Sequence, residues 1–148
     1  MEPAPALSRG TVRVLRAAVA AMRPRGHGFD QPIDDDVLAE MARFFPSLPA
    51  PLRMGFPAGL RLLEYGGPLL AGRRGRFSSL PVEDARRVLD AFQHAGGLRA
   101  SLVLGLRALA FLAFYQHPEV LRAMGVDWQG RAVELTRRRA ELLAGGPS

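Results

Sequence analysis

The residues of this chain whose types could do chemistry are three histidines, a run of three aspartates and two clusters of arginine. A metal site needs ligands that converge, as when H-x-x-x-H or H-E-x-x-H puts two histidines on one helical face. Here His27 falls in the loop RPRGHGFDQP, His94 at the end of a helical pattern and His117 directly before a proline, so no such pair arises. Asp34, Asp35 and Asp36 lack the Asp-x-Asp-x-Asp-Gly order and distal glutamate of a calcium loop. They read as negative charge at the positive end of a helix. The absence of cysteine removes a thiol nucleophile, a disulfide framework and every cysteine-held metal or cluster. There is no G-x-S-x-G elbow, P-loop or G-x-G-x-x-G, and Gly66, Gly67, Gly72 and Gly75 lack the strand-to-helix setting of a phosphate cradle. On residues alone this is a helical chain with no visible active site and no expected metal-ligating set.

His117 is weighed separately because it follows Phe114 and Tyr115 at the end of the most apolar segment. One reading makes it a proton-transfer or substrate-contacting group reaching into a partner's pocket. The other, which we favour, is a helix-terminus histidine whose imidazole satisfies exposed carbonyls. Phe111, Phe114, Tyr115 and Trp128 could form a ligand pocket, but aromatics beside an apolar helix are more often core.

The elements that must position these groups follow from apolar spacing. Leu98 to Pro118, LRASLVLGLRALAFLAFYQHP, is apolar on nearly every side and reads as a central helix buried by other helices. A membrane span also needs roughly 20 apolar residues, but Arg107 sits at the centre of this run, and no transmembrane segment is expected. Before it, Ser8 is a plausible N-cap for a helix carrying Val12, Leu15, Val19 and Met22, stopped by Pro24 and Gly26. Asp34 to Asp36 open a second helix with Val37, Met41, Phe44 and Phe45 inward. Leu52, Phe56, Leu60 and Leu63 mark a third, which Gly55 and Pro57 are expected to kink or break. YGGPLLAGRRGRFSSLP then reads as a long loop.

Pro81 begins another helix with Val82, Ala85, Leu89 and Phe92 facing the core, ended at Ala95, Gly96 and Gly97. Pro118 to Met124 forms a short one stopped by Gly125. From about Gly130 to Ala144 runs an amphipathic helix with Val133, Leu135, Leu142 and Leu143 apolar and Glu134 paired with Arg138 at i,i+4. The expected fold is all-α: one compact multi-helix domain over residues 1–148, of about six or seven helices, around the buried helix near Leu98 to Tyr115.

The 148 residues are enough for one core, and 48% apolar with 23% charged residues is a globular composition. The net charge of +6 comes from arginine alone, a usage that reflects a GC-rich genome more than a mechanism. Arg73, Arg74 and Arg76 lie far in sequence from Arg137, Arg138 and Arg139, and neither cluster is interleaved with aromatics, so no nucleic-acid partner is expected. The opening MEPAPALSRG shows no signal peptide, which gives a cytoplasmic expectation without excluding export alongside a partner.

The order of elements carries a resemblance. RFSSLPVEDARRVLDAF from Arg76, LRALAFLAFYQHPEVLRAMGVD from Leu106 to Asp127, and the opening LSRGTVRVLRAAVAAMRP resemble the gluconate 2-dehydrogenase subunit 3 family. Those are small helical subunits of FAD-dependent GMC (glucose-methanol-choline) oxidoreductases. The pattern is also similar to the segment before the flavin domain of long-chain fatty alcohol oxidases. Its most specific parts are Phe77-Ser78, the Tyr115/His117/Pro118 corner and the Ala123-Met124-Gly125 turn. The chain departs from the family in having no twin-arginine signal, in Pro81 where a capping serine or threonine is frequent, and in Val126, Asp127 and Trp128 followed by an extra helix.

The resemblance implies a non-catalytic small subunit in a hetero-oligomer with a GMC-type large subunit that oxidises an alcohol group of a sugar, sterol or long-chain alcohol. FAD would sit in that partner, and no cofactor in this chain. Candidate contacts are Arg73, Arg74, Arg76, Phe77, Tyr115, His117 and Trp128, since aromatics and arginines dominate interface energies. The competing expectations are a freestanding binding protein for a lipid or sterol-like ligand and a small enzyme built around His117.

Overall fold

Ser8 starts the first helix where its sequence places it: the hydroxyl accepts the Thr11 backbone N–H at 3.2 Å and satisfies a donor the helix cannot pair internally. The computed structural model describes residues 7–24 and 29–144. His27 and Gly26 lie outside the described residues. Among the described residues seven helices follow in order: α1 Arg9–Met22, α2 Asp34–Phe44, α3 Ala50–Leu70, α4 Val82–His94, α5 Gly97–Gln116, α6 Pro118–Ala123 and α7 Trp128–Ala144. Single 3-10 turns at Phe45–Ser47 and Phe77–Ser79 lie between them, and no strand occurs among the described residues. The protein is an all-α domain.

Its core is formed where α1, α3, α4 and α5 meet. Phe77, Phe92, Leu60, Leu63, Leu89 and Leu106 are fully buried there. The close approach of α3 to α4 depends on Gly67: a Cβ at that position would lie 2.7 Å from Val88 Cγ1. Val12, Phe44 and Phe56 are only partly buried, while Leu52 and Val82, expected inward, are exposed. Both exposed side chains sit in the first turn of their helices, where the neighbouring element no longer covers the stripe.

The third helix is longer and more regular than expected. It runs unbroken from Ala50 to Leu70 with Pro57 and Pro68 inside it. Each proline withdraws one N–H from the ladder, but Leu60, Leu63, Glu64 and Gly67 are buried on one side of this helix, and helices in proteins are held mainly by such packing. The expected break is therefore absent, and the expected long loop shrinks to residues 71–76. Gly72, at φ 67°, ends α3 in a Schellman motif: its N–H donates to Leu69 O at 3.1 Å and the Arg73 N–H to Pro68 O at 2.7 Å. The same arrangement recurs at Gly125, with Gly125 N–H on Arg122 O and Val126 N–H on Leu121 O.

α5 takes its expected central place and packs against α1, α2, α3, α4 and α6. It is covered on one face only. Val103, Leu106, Ala110, Ala113 and Phe114 point into the core, whereas Leu98, Leu104, Leu112 and Tyr115 are exposed. By length and composition α5 could cross a membrane, and 28% of its apolar window is buried inside the domain. The described side chains of α7 are all exposed, so α7 leaves the outer face of α5 open. Within α7, Glu134 pairs with Arg137 at 2.9 Å rather than with Arg138, and Arg137 also reaches Glu141 at 3.7 Å.

Candidate functional site

His117 occupies the junction between α5 and α6, where extended backbone at φ −65°, ψ 129° lets one helix end and the next begin. Its Nδ1 accepts the Glu119 backbone N–H at 3.2 Å, making His117 the N-cap of α6. That bond needs a lone pair on Nδ1 and so assigns the proton to Nε2, which faces Asp36 Oδ2 at 3.4 Å. Both ring nitrogens are thus occupied, one capping a helix by accepting an amide rather than by serving carbonyls as expected. A recess of about 350 Å³ beside this corner is lined by Asp36, Glu40, Arg43, Gln116 and His117.

The three aspartates at the start of α2 each bind a different part of the molecule. Asp35 meets Arg16 at 2.9 Å, Asp34 meets Arg23 at 3.7 Å, and Asp36 meets His117. They therefore fasten α2 to α1 and to the α5–α6 corner, besides opposing the helix dipole as expected. Among the described residues no group of three or more histidine or carboxylate side chains is placed to hold a metal ion.

The arginine segment between α3 and α4 divides into different roles. Arg73 bonds Asp84 at 2.9 Å, and Arg87 shares that carboxylate at 3.3 Å, so Arg73 anchors the connection to the first turn of α4. Arg74 is exposed. Arg76 lies over the Tyr65 ring, 5.6 Å from its centroid, a cation–π contact. Phe77 differs from the expectation most: at 0% exposure it is part of the core and offers nothing to a partner. Burying the aromatic ring of a short 3-10 turn beneath α1 and α3 removes far more apolar surface from water than pointing it outward would.

The residue that holds this turn was not among those singled out from sequence. Glu64, 6% exposed on α3, accepts the Ser78 N–H at 2.9 Å and the Ser78 hydroxyl at 2.7 Å. The available signal was a carboxylate set within the apolar stripe of α3, the one acidic residue of that helix.

Tyr115, at 41% exposure, stands edge-on to Phe111 and Phe114. Trp128 opens α7, and its side chain lies outside the described residues. The structure does not bring the two candidate clusters together. The recess at His117 and the one of about 260 Å³ at Arg76, Tyr65 and Glu64 share no lining residue. What lies open instead is apolar surface on α3 and α5, with Met54 at 81%, Leu69 at 71% and Leu98 at 89% exposure. Sequence reasoning passed over it because Leu98 read as part of a buried helix and Leu69 as part of a loop. No protein-family model, curated protein or solved structure matches the chain.

Proposed function

We propose that this chain is a non-catalytic small subunit that binds and stabilises a GMC-family, FAD-dependent dehydrogenase or oxidase acting on alcohol groups. The observation that carries the reading is the large apolar surface left open on α3 and α5, since monomers rarely expose contiguous apolar patches of this kind outside interaction sites. Its chemistry fits: the polar groups nearest to an active-site constellation, His117 with Asp36 and Glu64 with Ser78, are engaged in fastening helices. The likeness of Arg76–Phe92 and Leu106–Asp127 to the gluconate 2-dehydrogenase subunit 3 family supplies the flavoprotein as partner.

A pocket for a sterol or lipid has less support. The apolar recess between Val19, Met22, Val37 and Phe114 holds about 10 Å³, where a small-molecule site needs about 300 Å³ or more.

Co-expression with a GMC-type flavoprotein from the same genome tests the reading. An affinity tag on this chain is expected to retain the flavoprotein, and the isolated chain is expected to turn over no alcohol. Retention of this chain alone, or turnover by it, contradicts the proposal.

A further inference from the structure

Resting on the subunit reading above, we propose that the open face shared by α3 and α5 is a groove for an amphipathic helix of the flavoprotein, one whose apolar stripe is bordered by carboxylates. The two helices adjoin at Gly59, where a Cβ would stand 3.0 Å from Leu102 Cδ1. Their exposed surfaces are therefore continuous across that contact. At 100° per residue, the exposed arc of α3 runs from Arg61 past Met54, Leu69 and Leu62 to this seam. The arc of α5 continues past Leu98, Leu112 and Leu104 to Arg107. No charged residue of α3 or α5 falls between Arg61 and Arg107, because Arg53, Glu64 and Arg99 lie outside these arcs; Arg76, from the connection after α3, lies over Tyr65 and adds its charge beside Arg61 at that border.

Area, relief and charge together select the occupant. At these exposures the large side chains of the face present on the order of 1,000 Å² to solvent, above the roughly 300–600 Å² of the largest patch on a typical monomer and comparable to the ~800 Å² each partner buries in a standard interface. The face also lets a second backbone come close. Gly55 on α3 and Gly105 on α5 leave open space where a side chain would stand, which a packing helix uses and a lipid surface does not need.

A second copy of the chain is disfavoured by the borders. Whether α3 were laid against α3 or against α5 of the other copy, Arg61 would face Arg61 or Arg107, in a chain already at +6. Like charges so placed oppose association, and carboxylates opposite them favour it.

The test uses the full chain co-expressed with the flavoprotein. Gly105→Leu fills this open space and replaces a poor helix former, so the free chain is expected to melt no lower while its affinity for the flavoprotein falls at least about tenfold. Arg61→Glu with Arg107→Glu, away from the buried core, is expected to weaken binding by a similar factor at low salt and much less at high salt. Leu142→Glu on α7 is expected to bind as the unaltered chain does. If the unaltered chain retains the flavoprotein and Gly105→Leu and the arginine pair retain it equally well, the groove is wrong although the subunit reading stands. If the unaltered chain retains none, the reading falls and the groove's occupant with it. A dimer of the chain alone by light scattering, or its sedimentation with anionic phosphatidylglycerol vesicles, abolished in either case by Gly105→Leu, assigns the face to a copy or a membrane and overturns the proposal.

Discussion

Glu64 and Phe77 carry the fold at the level of single residues, because together they fix the turn that joins α3 to α4. Ser78→Ala leaves one buried carboxylate oxygen without its donor, and bonds to charged groups contribute about 1.5–3 kcal/mol. Phe77→Ala removes a fully buried ring and is expected to cost about 3–5 kcal/mol. Urea denaturation of the two variants measures both, and a loss under ~0.5 kcal/mol at Phe77 would show the ring is not core. Phe77→Ala therefore reports on folding and is unsuited to reporting on partner contact. Ser8 and the aspartates of α2 were legible in the sequence because a cap acts within one helical turn. Glu64 was not, because its partner is 14 residues away and only the packing of the 3-10 turn under α3 brings Ser78 to it. His117 was half legible: proline fixes the corner, but which atom the imidazole serves depends on α2 arriving with Asp36.

The helices separate into those that the core holds and those that present surface. Glycines on α3 and α5 test this division from opposite sides. Gly67→Ala drives a methyl group to 2.7 Å from Val88 Cγ1 and is expected to destabilise by about 1–3 kcal/mol, the usual cost of overpacking. Gly105→Ala meets open space and is expected to stabilise by about 0.5–1 kcal/mol through backbone entropy alone. Thermal melts of the pair should move in opposite directions, and movement in the same direction would mean that α3 and α4 are not packed at Gly67. Apolar spacing located every described helix, yet it erred on α3, where Gly55 and Pro57 suggested a kink or break and Gly66 to Gly75 a long loop, and packing carries the helix on to Leu70. The spacing also gave α5 cover on nearly every side. A run of leucines has the same pattern whether its far side meets a neighbouring helix or a neighbouring molecule, so the pattern alone does not say which.

For the molecule as a whole, stability and association reside in different parts. Every described side chain of α7 is exposed, so removing residues 128–148 is expected to shift the melting temperature by less than about 2 °C. A drop of about 10 °C would place α7 in the fold after all. The body, α1 to α6, then presents a large open apolar face. On the proposed subunit reading, a partner engaged only in its native state is stabilised by about 4 kcal/mol when this chain is present at ~1,000 times the dissociation constant. The most direct measurement is the melting temperature of the purified GMC-type flavoprotein as this chain is added. The account predicts a rise of several degrees that grows with concentration and saturates; a melting curve unchanged across the titration would contradict it.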